Sequence, residues 1–276
     1  MISRADIRAS LILALASAIV ACGAAADEAT PPEIRSGVSG YLAAAAIPDS
    51  VALLPLPPAT GSAELRSDQD INRADLALQG APRWRLAGMD ANLSFPWAAG
   101  DFSCALDAPV TLQDTPRLYQ LLRRTLSDVG RSTSAAKNRY QRPRPFTVND
   151  APTCTPGAEP ALRESGSYPS GHAAIGWAWA LILSEASPDQ SAAILARGRA
   201  FGESRLVCNV HWNSDVVEGR LLGAAAVVQL HRDATFLADL DAAKSELAAA
   251  RAKKLRPQRD CRFEADALAQ RPPRAP

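Results

Sequence analysis

The chain holds 276 residues, 47% of them hydrophobic and 21% charged, with 30 Lys+Arg against 29 Asp+Glu. Such a composition can bury a core and excludes intrinsic disorder, while 16 Gly and 21 Pro spread without a period exclude a collagen-like chain. A formal charge of +1 excludes a binder that works by neutralising nucleic-acid phosphates, so the expected partner is a small molecule and no nucleic acid.

Residues 1–26 read as a secretory signal peptide: Arg4 and Arg8 precede an uncharged apolar run from Leu11 to Ala21. That run is shorter than the roughly 20 apolar residues that span a bilayer. Two processing routes are open. Cleavage behind Ala24-Ala25-Ala26 would release a periplasmic protein, whereas Ile19-Val20-Ala21-Cys22 resembles a bacterial lipobox whose Cys22 would tether the chain to a membrane surface. No other membrane contact is expected.

Residues 27–60 carry six prolines and no sustained period, which predicts a linker and an irregular N-terminal arm. Residues 61–250 form the expected helical domain. Thr115-Pro116 is an N-cap followed by proline at the first helical position, and Leu118, Leu121, Leu122, Leu126 and Val129 continue it as an apolar stripe that Gly130 ends or interrupts. A further helical stretch over Ser132–Gln141 must stop before Pro143 and Pro145. Ser170–Glu185 is apolar nearly all round and is expected to be a buried helix, with Pro188–Val207 and Ser214–His231 completing the set. No strand alternation exceeds four residues and no internal repeat occurs, so the fold class is all-α, in a single domain. Residues 251–276 have eight basic residues against three acidic ones and read as a solvated basic tail.

Beyond the leader stand Cys104, Cys154, Cys208 and Cys261, with no CxxC pair to suggest zinc. In an exported chain four such cysteines predict two disulfides. Of the three connectivities, Cys104–Cys154 with Cys208–Cys261 is the one expected.

Three segments concentrate groups suited to an oxyanion: Lys137-Asn-Arg-Tyr-Gln-Arg-Pro-Arg144-Pro145, Gly166-Ser-Tyr-Pro-Ser170-Gly171-His172, and Ser204-Arg205 followed by His211-Trp-Asn-Ser-Asp215. Together, in order and spacing, they resemble the three-part signature of the type 2 phosphatidic-acid-phosphatase and vanadium haloperoxidase superfamily. The wider context, including Asp90-Ala-Asn-Leu-Ser94, is similar to the bacterial class A non-specific acid phosphatases over roughly residues 50 to 255. The resemblance implies a helical bundle of that superfamily's type and a phosphomonoesterase of broad specificity. It makes His211 the nucleophile of a phosphohistidine intermediate and His172 the acid that protonates the leaving alkoxide, then the base that activates water. Related enzymes are often oligomeric, which leaves a homo-oligomer open here. Ala173 departs from the pattern, which has Thr after the His, and the missing hydroxyl bears on substrate preference.

The chemistry agrees with the resemblance. A phosphate dianion in a dry site needs cationic donors, and the planar forks of Arg144 and Arg205 can each bond two oxygens, with Lys137 as a third charge. Ser170-Gly171-His172 opens a helix whose first N–H groups and positive dipole end cradle an anion. His211 and Asp215, four apart, share a helix face, so the carboxylate can hold one imidazole proton and leave the other nitrogen free to attack phosphorus. No other His or carboxylate cluster adjoins them, so neither a metal nor another cofactor is expected. Arg142, beside the motif, is read as an aid to recruiting anions, and Trp177, Trp179 and Trp212 as core. Two rival readings share the anion site: a vanadium-dependent haloperoxidase, and a lipid-anchored protein that binds phosphate without hydrolysing it.

Overall fold

The computed structural model describes residues 37–272, and no strand occurs among them. The expected signal peptide over residues 1–26, with Cys22 of the lipobox-like stretch, lies outside the described residues. Among the described residues thirteen α-helices follow in order: α1 Ser50–Leu53, α2 Ala63–Asp75, α3 Pro82–Asp90, α4 Ser103–Leu106, α5 Pro116–Ser132, α6 Ser134–Tyr140, α7 Phe146–Asn149, α8 Glu159–Arg163, α9 Gly171–Ala186, α10 Ser191–Val207, α11 Asn213–Leu230, α12 Ala234–Ala252 and α13 Cys261–Ala269.

The all-round apolar segment is α9, and it runs through the middle of the bundle. Ile175, Ala178, Trp179, Ile182 and Leu183 have no exposed surface. α5, α10, α11 and α12 surround it, each turning an apolar stripe inward. In α12 that stripe is Phe236, Leu240, Ala243, Leu247 and Ala250, which recur at helical spacing. Trp179 keeps its indole satisfied by donating to the Leu122 carbonyl and to Thr125 Oγ1 (3.1 and 3.2 Å). Trp212 is buried and Trp177 partly so, as expected of core residues.

Two glycines set how closely α11 lies on α9. A Cβ on Gly219 would stand 2.5 Å from the Ser170 carbonyl oxygen, and one on Gly223 would stand 2.3 Å from that of Ala174. Only residues without a side chain permit this approach.

The predicted helices occur within a few residues of their expected ends. Gly130 lies inside α5, which continues to Ser132 before Thr133 and α6. Thr115 does not cap α5 with its side chain; its hydroxyl donates to the Pro109 carbonyl. Pro188 opens a short 3-10 turn before α10.

Over residues 37–60 the arm is irregular apart from a short 3-10 turn and α1, but neither flank hangs free. The arm is docked from residue 37 onward: the Asp128 carboxylate accepts the backbone N–H of Tyr41 and Leu42 (2.7 and 3.1 Å), and the Tyr168 hydroxyl donates to the Pro55 carbonyl. The C-terminal stretch is not a free solvated tail. α13 packs on α3, Glu264 pairs with Arg197 (3.2 Å), Arg259 with Asp101 (2.7 Å), and Cys261 is joined to Cys104. The disulfides are therefore Cys104–Cys261 and Cys154–Cys208, correcting the pairing expected above. The near-equal spacings carried no information on which ends meet; the return of α13 onto the α3–α4 region decides it.

Candidate active site

Lys137 lies on the last turn of α6, which stops where Gln141 turns left-handed (φ 43°) ahead of the two prolines. Arg144 follows in the irregular segment, Arg205 lies in the last turn of α10, and His211 sits in the short link before α11. That link is held by an amide cluster. Asn209, at φ 62°, exchanges hydrogen bonds with Asn149 and accepts from Asn72, while Cys208 beside it is joined to Cys154. Asparagine tolerates this left-handed conformation better than most residues.

These pieces converge. Arg144 Nη1 stands 3.2 Å from His211 Nε2, and the backbone N–H of His211 donates to the Arg205 carbonyl (3.3 Å). Lys137 Nζ donates to the Gly166 carbonyl (2.7 Å), and Arg144 Nη2 to Ser165 Oγ (2.8 Å), on the loop that leads into α9. Ser170 caps α9, its hydroxyl oxygen accepting from Ala173 N (3.3 Å), and its own N–H donates to the Asp215 carbonyl (2.9 Å). Gly171 and His172 form the first turn. All eight residues singled out in the sequence, Lys137, Arg144, Ser170, Gly171, His172, Arg205, His211 and Asp215, thus meet at one place.

Asp215 faces His211 Nδ1 through Oδ2 at 3.3 Å, and the same oxygen accepts the Trp212 N–H (2.8 Å). The carboxylate favours a proton on Nδ1, which leaves the Nε2 lone pair turned to Arg144. Burial, then the charges of Arg144, Lys137 and Arg205, hold His211 well below the usual histidine range. A neutral ring carries a lone pair on Nε2 that can attack an electrophile.

His172 is buried and stacked against Phe201, and its Nε2 lies 3.0 Å from the Ala91 carbonyl. Since that carbonyl takes the Nε2 proton, Nδ1 is the nitrogen that gains and loses a proton. Burial and the neighbouring Arg205 charge hold this histidine well below its usual range too, with His211 and Arg144 adding to the effect.

Arg142 does not recruit anions from solvent. Its guanidinium is buried and bonded to Asp215 (2.5 Å), Asp68 (2.8 Å) and Ser214 (2.7 Å). The Ala173 methyl packs with Leu206, Val216 and Ile71 in an apolar seam between α9, α10 and α11. Asp68, Ser214, Asn209 and the Ala91 carbonyl are additions to the residues read from sequence. None of them had a spacing signal of its own, although Asn209 and Ser214 lie inside the third segment and Asp90-Ala91 in the stretch that the resemblance marked.

Among the described residues, no three His, Cys, Asp or Glu side chains cluster as a metal site would require, and no helix is long and apolar enough to cross a membrane.

Residues 121–237 match the PAP2 superfamily. A non-specific acid phosphatase of Providencia stuartii is 40% identical over 223 residues, which cover 80% of this chain and 88% of that protein. An acid phosphatase of Zymomonas mobilis subsp. mobilis is 38% identical over 244 residues, covering 87% and 90%. A non-specific acid phosphatase of Salmonella typhimurium is 39% identical over 195 residues, covering 70% and 78%.

Proposed function

The chain belongs to the PAP2 superfamily, among its class A-type non-specific acid phosphatases, and we propose that it is an exported, metal-independent phosphomonoesterase of broad specificity acting through a phosphohistidine. The observation that supports this most directly is the line Asp215–His211–Arg144, with the His211 Nε2 lone pair 3.2 Å from a guanidinium suited to hold a phosphoryl oxygen.

In this mechanism Lys137, Arg144, Arg205 and the N–H groups opening α9 hold the equatorial oxygens, and their charge meets the charge that develops in flight. Nε2 of His211 forms a bond to phosphorus as the ester P–O bond breaks. The electron pair leaves with the ester oxygen, which takes a proton from His172. Neutral His172 then accepts a proton from water, whose oxygen attacks phosphorus and frees His211.

The cations that keep His172 neutral in the protein alone are the ones a phosphate dianion would neutralise. Substrate binding therefore raises its proton affinity, and the acid is loaded when it is needed. Fixed Arg and Lys charges perform the work a metal does elsewhere, which is the basis for metal independence. Two disulfides and the leader-type N-terminus support a periplasmic location.

His211→Ala is expected to lower p-nitrophenyl phosphate turnover by at least about a thousand-fold and to abolish an acid-labile phosphoenzyme, as loss of a nucleophile does elsewhere. Chelators should leave the wild-type rate unchanged. Turnover by H211A near the wild-type rate would refute the mechanism.

A further inference from the structure

Behind the nucleophile lies a buried ionic chain. Asp215 divides its two oxygens: Oδ2 faces His211 and the Trp212 N–H, while Oδ1 receives Arg142 Nη1 at 2.5 Å. Arg142 spans to a second carboxylate, its Nη2 donating to Asp68 Oδ2 at 2.8 Å. Asp68 comes from α2, far away in sequence, and is locked by the Ser214 backbone N–H (2.8 Å) and hydroxyl (2.5 Å). All three charged side chains are buried, Asp215 wholly so.

We propose that Asp68 and Arg142 are positioning residues for the nucleophile. Arg142 stops Asp215 from rotating off Nδ1, and Asp68 leaves the three-residue chain with one net negative charge to meet the positive charge that the His211 ring gains when its Nε2 bonds to phosphorus. The inference rests on the phosphohistidine reading.

The reason is charge balance. Arg142 alone would neutralise Asp215 and weaken its pull on the Nδ1 proton when the ring becomes cationic; a second carboxylate on the far side of the guanidinium restores that pull. The other groups around His211 all oppose a cationic ring: Lys137 from α6, Arg144 after it, Arg205 from α10, and His172 from α9 when protonated, with the Ser167 carbonyl as a weak counterweight. Asp215, with Asp68 behind it, is the anionic side of the site.

The test compares full-length Asp68→Asn, Arg142→Gln and the double variant by single-turnover phosphoenzyme formation, steady-state kcat and KM, and the NMR resonance of the His211 Nδ1 proton, identified by its loss in H211A. Removing Asp68 alone leaves a neutral Arg142–Asp215 pair. The expected result is a kcat lower by on the order of a hundred-fold, KM within about three-fold, and an upfield shift of the resonance. The double variant again leaves one net negative charge, so it should regain rate over D68N and return the resonance downfield. A merely structural role predicts the opposite order, because the double variant lacks more contacts.

A D68N enzyme with wild-type kcat and resonance, or a double variant no faster than D68N, overturns the inference. Should D68N not fold, Arg142→Lys serves instead: it keeps the chain's one net negative charge, so the resonance should stay downfield, while a compact ammonium in place of the guanidinium fork holds Asp215 less firmly and kcat should fall with KM within about three-fold; a wild-type kcat or an upfield resonance there overturns the inference equally. An active H211A would mean that the phosphohistidine reading itself fails; an inactive H211A with a wild-type D68N would sink only the present proposal.

Discussion

Gly219→Ala tests how the anion cradle is held. The new methyl would lie 2.5 Å from the Ser170 carbonyl oxygen, 3.0 Å from Ala173 Cβ and 3.3 Å from Ala174 N, all parts of the turn that opens α9. An ordinary contact needs about 3.5 Å, so α11 and that turn must separate by about 1 Å. Overpacking of this kind costs about 1–3 kcal/mol, and the gain in helix propensity from Gly to Ala returns up to about 1 kcal/mol. Stability should therefore fall by up to about 3 kcal/mol, or several degrees in Tm for a domain of this size. Activity should suffer more, because α11 carries Asp215 while the displaced turn carries Ser170, Gly171 and His172. A misplacement near 1 Å costs on the order of a hundred-fold in rate. The assay is kcat/KM for p-nitrophenyl phosphate alongside Tm, with Gly157→Ala as control, since a methyl there meets nothing within 4 Å. If G219A kept kcat/KM within three-fold of wild type, the close approach of α11 would not be what fixes the cradle.

The pH profile follows from the two histidines. In the proposed mechanism His211 acts as the neutral base form and is held below its usual range, so it stays competent into acid; His172 acts protonated in the complex, so the rate falls as pH rises through its value there. The optimum is expected below pH 7, and a rate rising steadily to pH 9 would contradict the assignment. His172→Ala should slow alkyl phosphates far more than p-nitrophenyl phosphate, whose leaving group needs little protonation; equal losses would remove His172 as the acid. Burial, against the pull of Arg83, pushes the Asp75 carboxyl up to about 7, so its contribution to stability is complete below about 3.8 and is lost as pH rises through 7. That amounts to about 4 kcal/mol between pH 3 and pH 8, and Asp75→Asn should flatten the Tm-versus-pH slope in that window; an unchanged slope would refute the burial argument. Replacing both Cys154 and Cys208 by Ser opens a link across 54 residues that stabilises by about 4 kcal/mol and leaves the segment carrying Asn209 and His211 less restrained, so both Tm and kcat should drop. Unchanged values for both would separate that bridge from the site.

The helices, and the three segments whose eight candidate residues the fold brings together, could be read from sequence because their signals are local. Apolar period, Thr115-Pro116, the paired prolines after Arg142, and the tight spacing inside three short segments each depend on neighbours within a few residues. What brings the segments into contact is not local. Asp68 had nothing to distinguish it from any acid on a polar helix, and only the packing of α2 beside the start of α11 turns it into a partner of Ser214 and Arg142. The same holds for Arg142, whose charge suggested a solvent-facing role until two buried carboxylates were seen to occupy it.

Chain chemistry by itself determined that this protein is helical and that it carries cations and imidazoles in the order and spacing of a three-part signature, because residue type and short spacing suffice for both. Tertiary structure alone decided which cysteines pair, that the basic tail folds back through α13, and which carboxylate balances which guanidinium, because those depend on distances between residues far apart along the backbone.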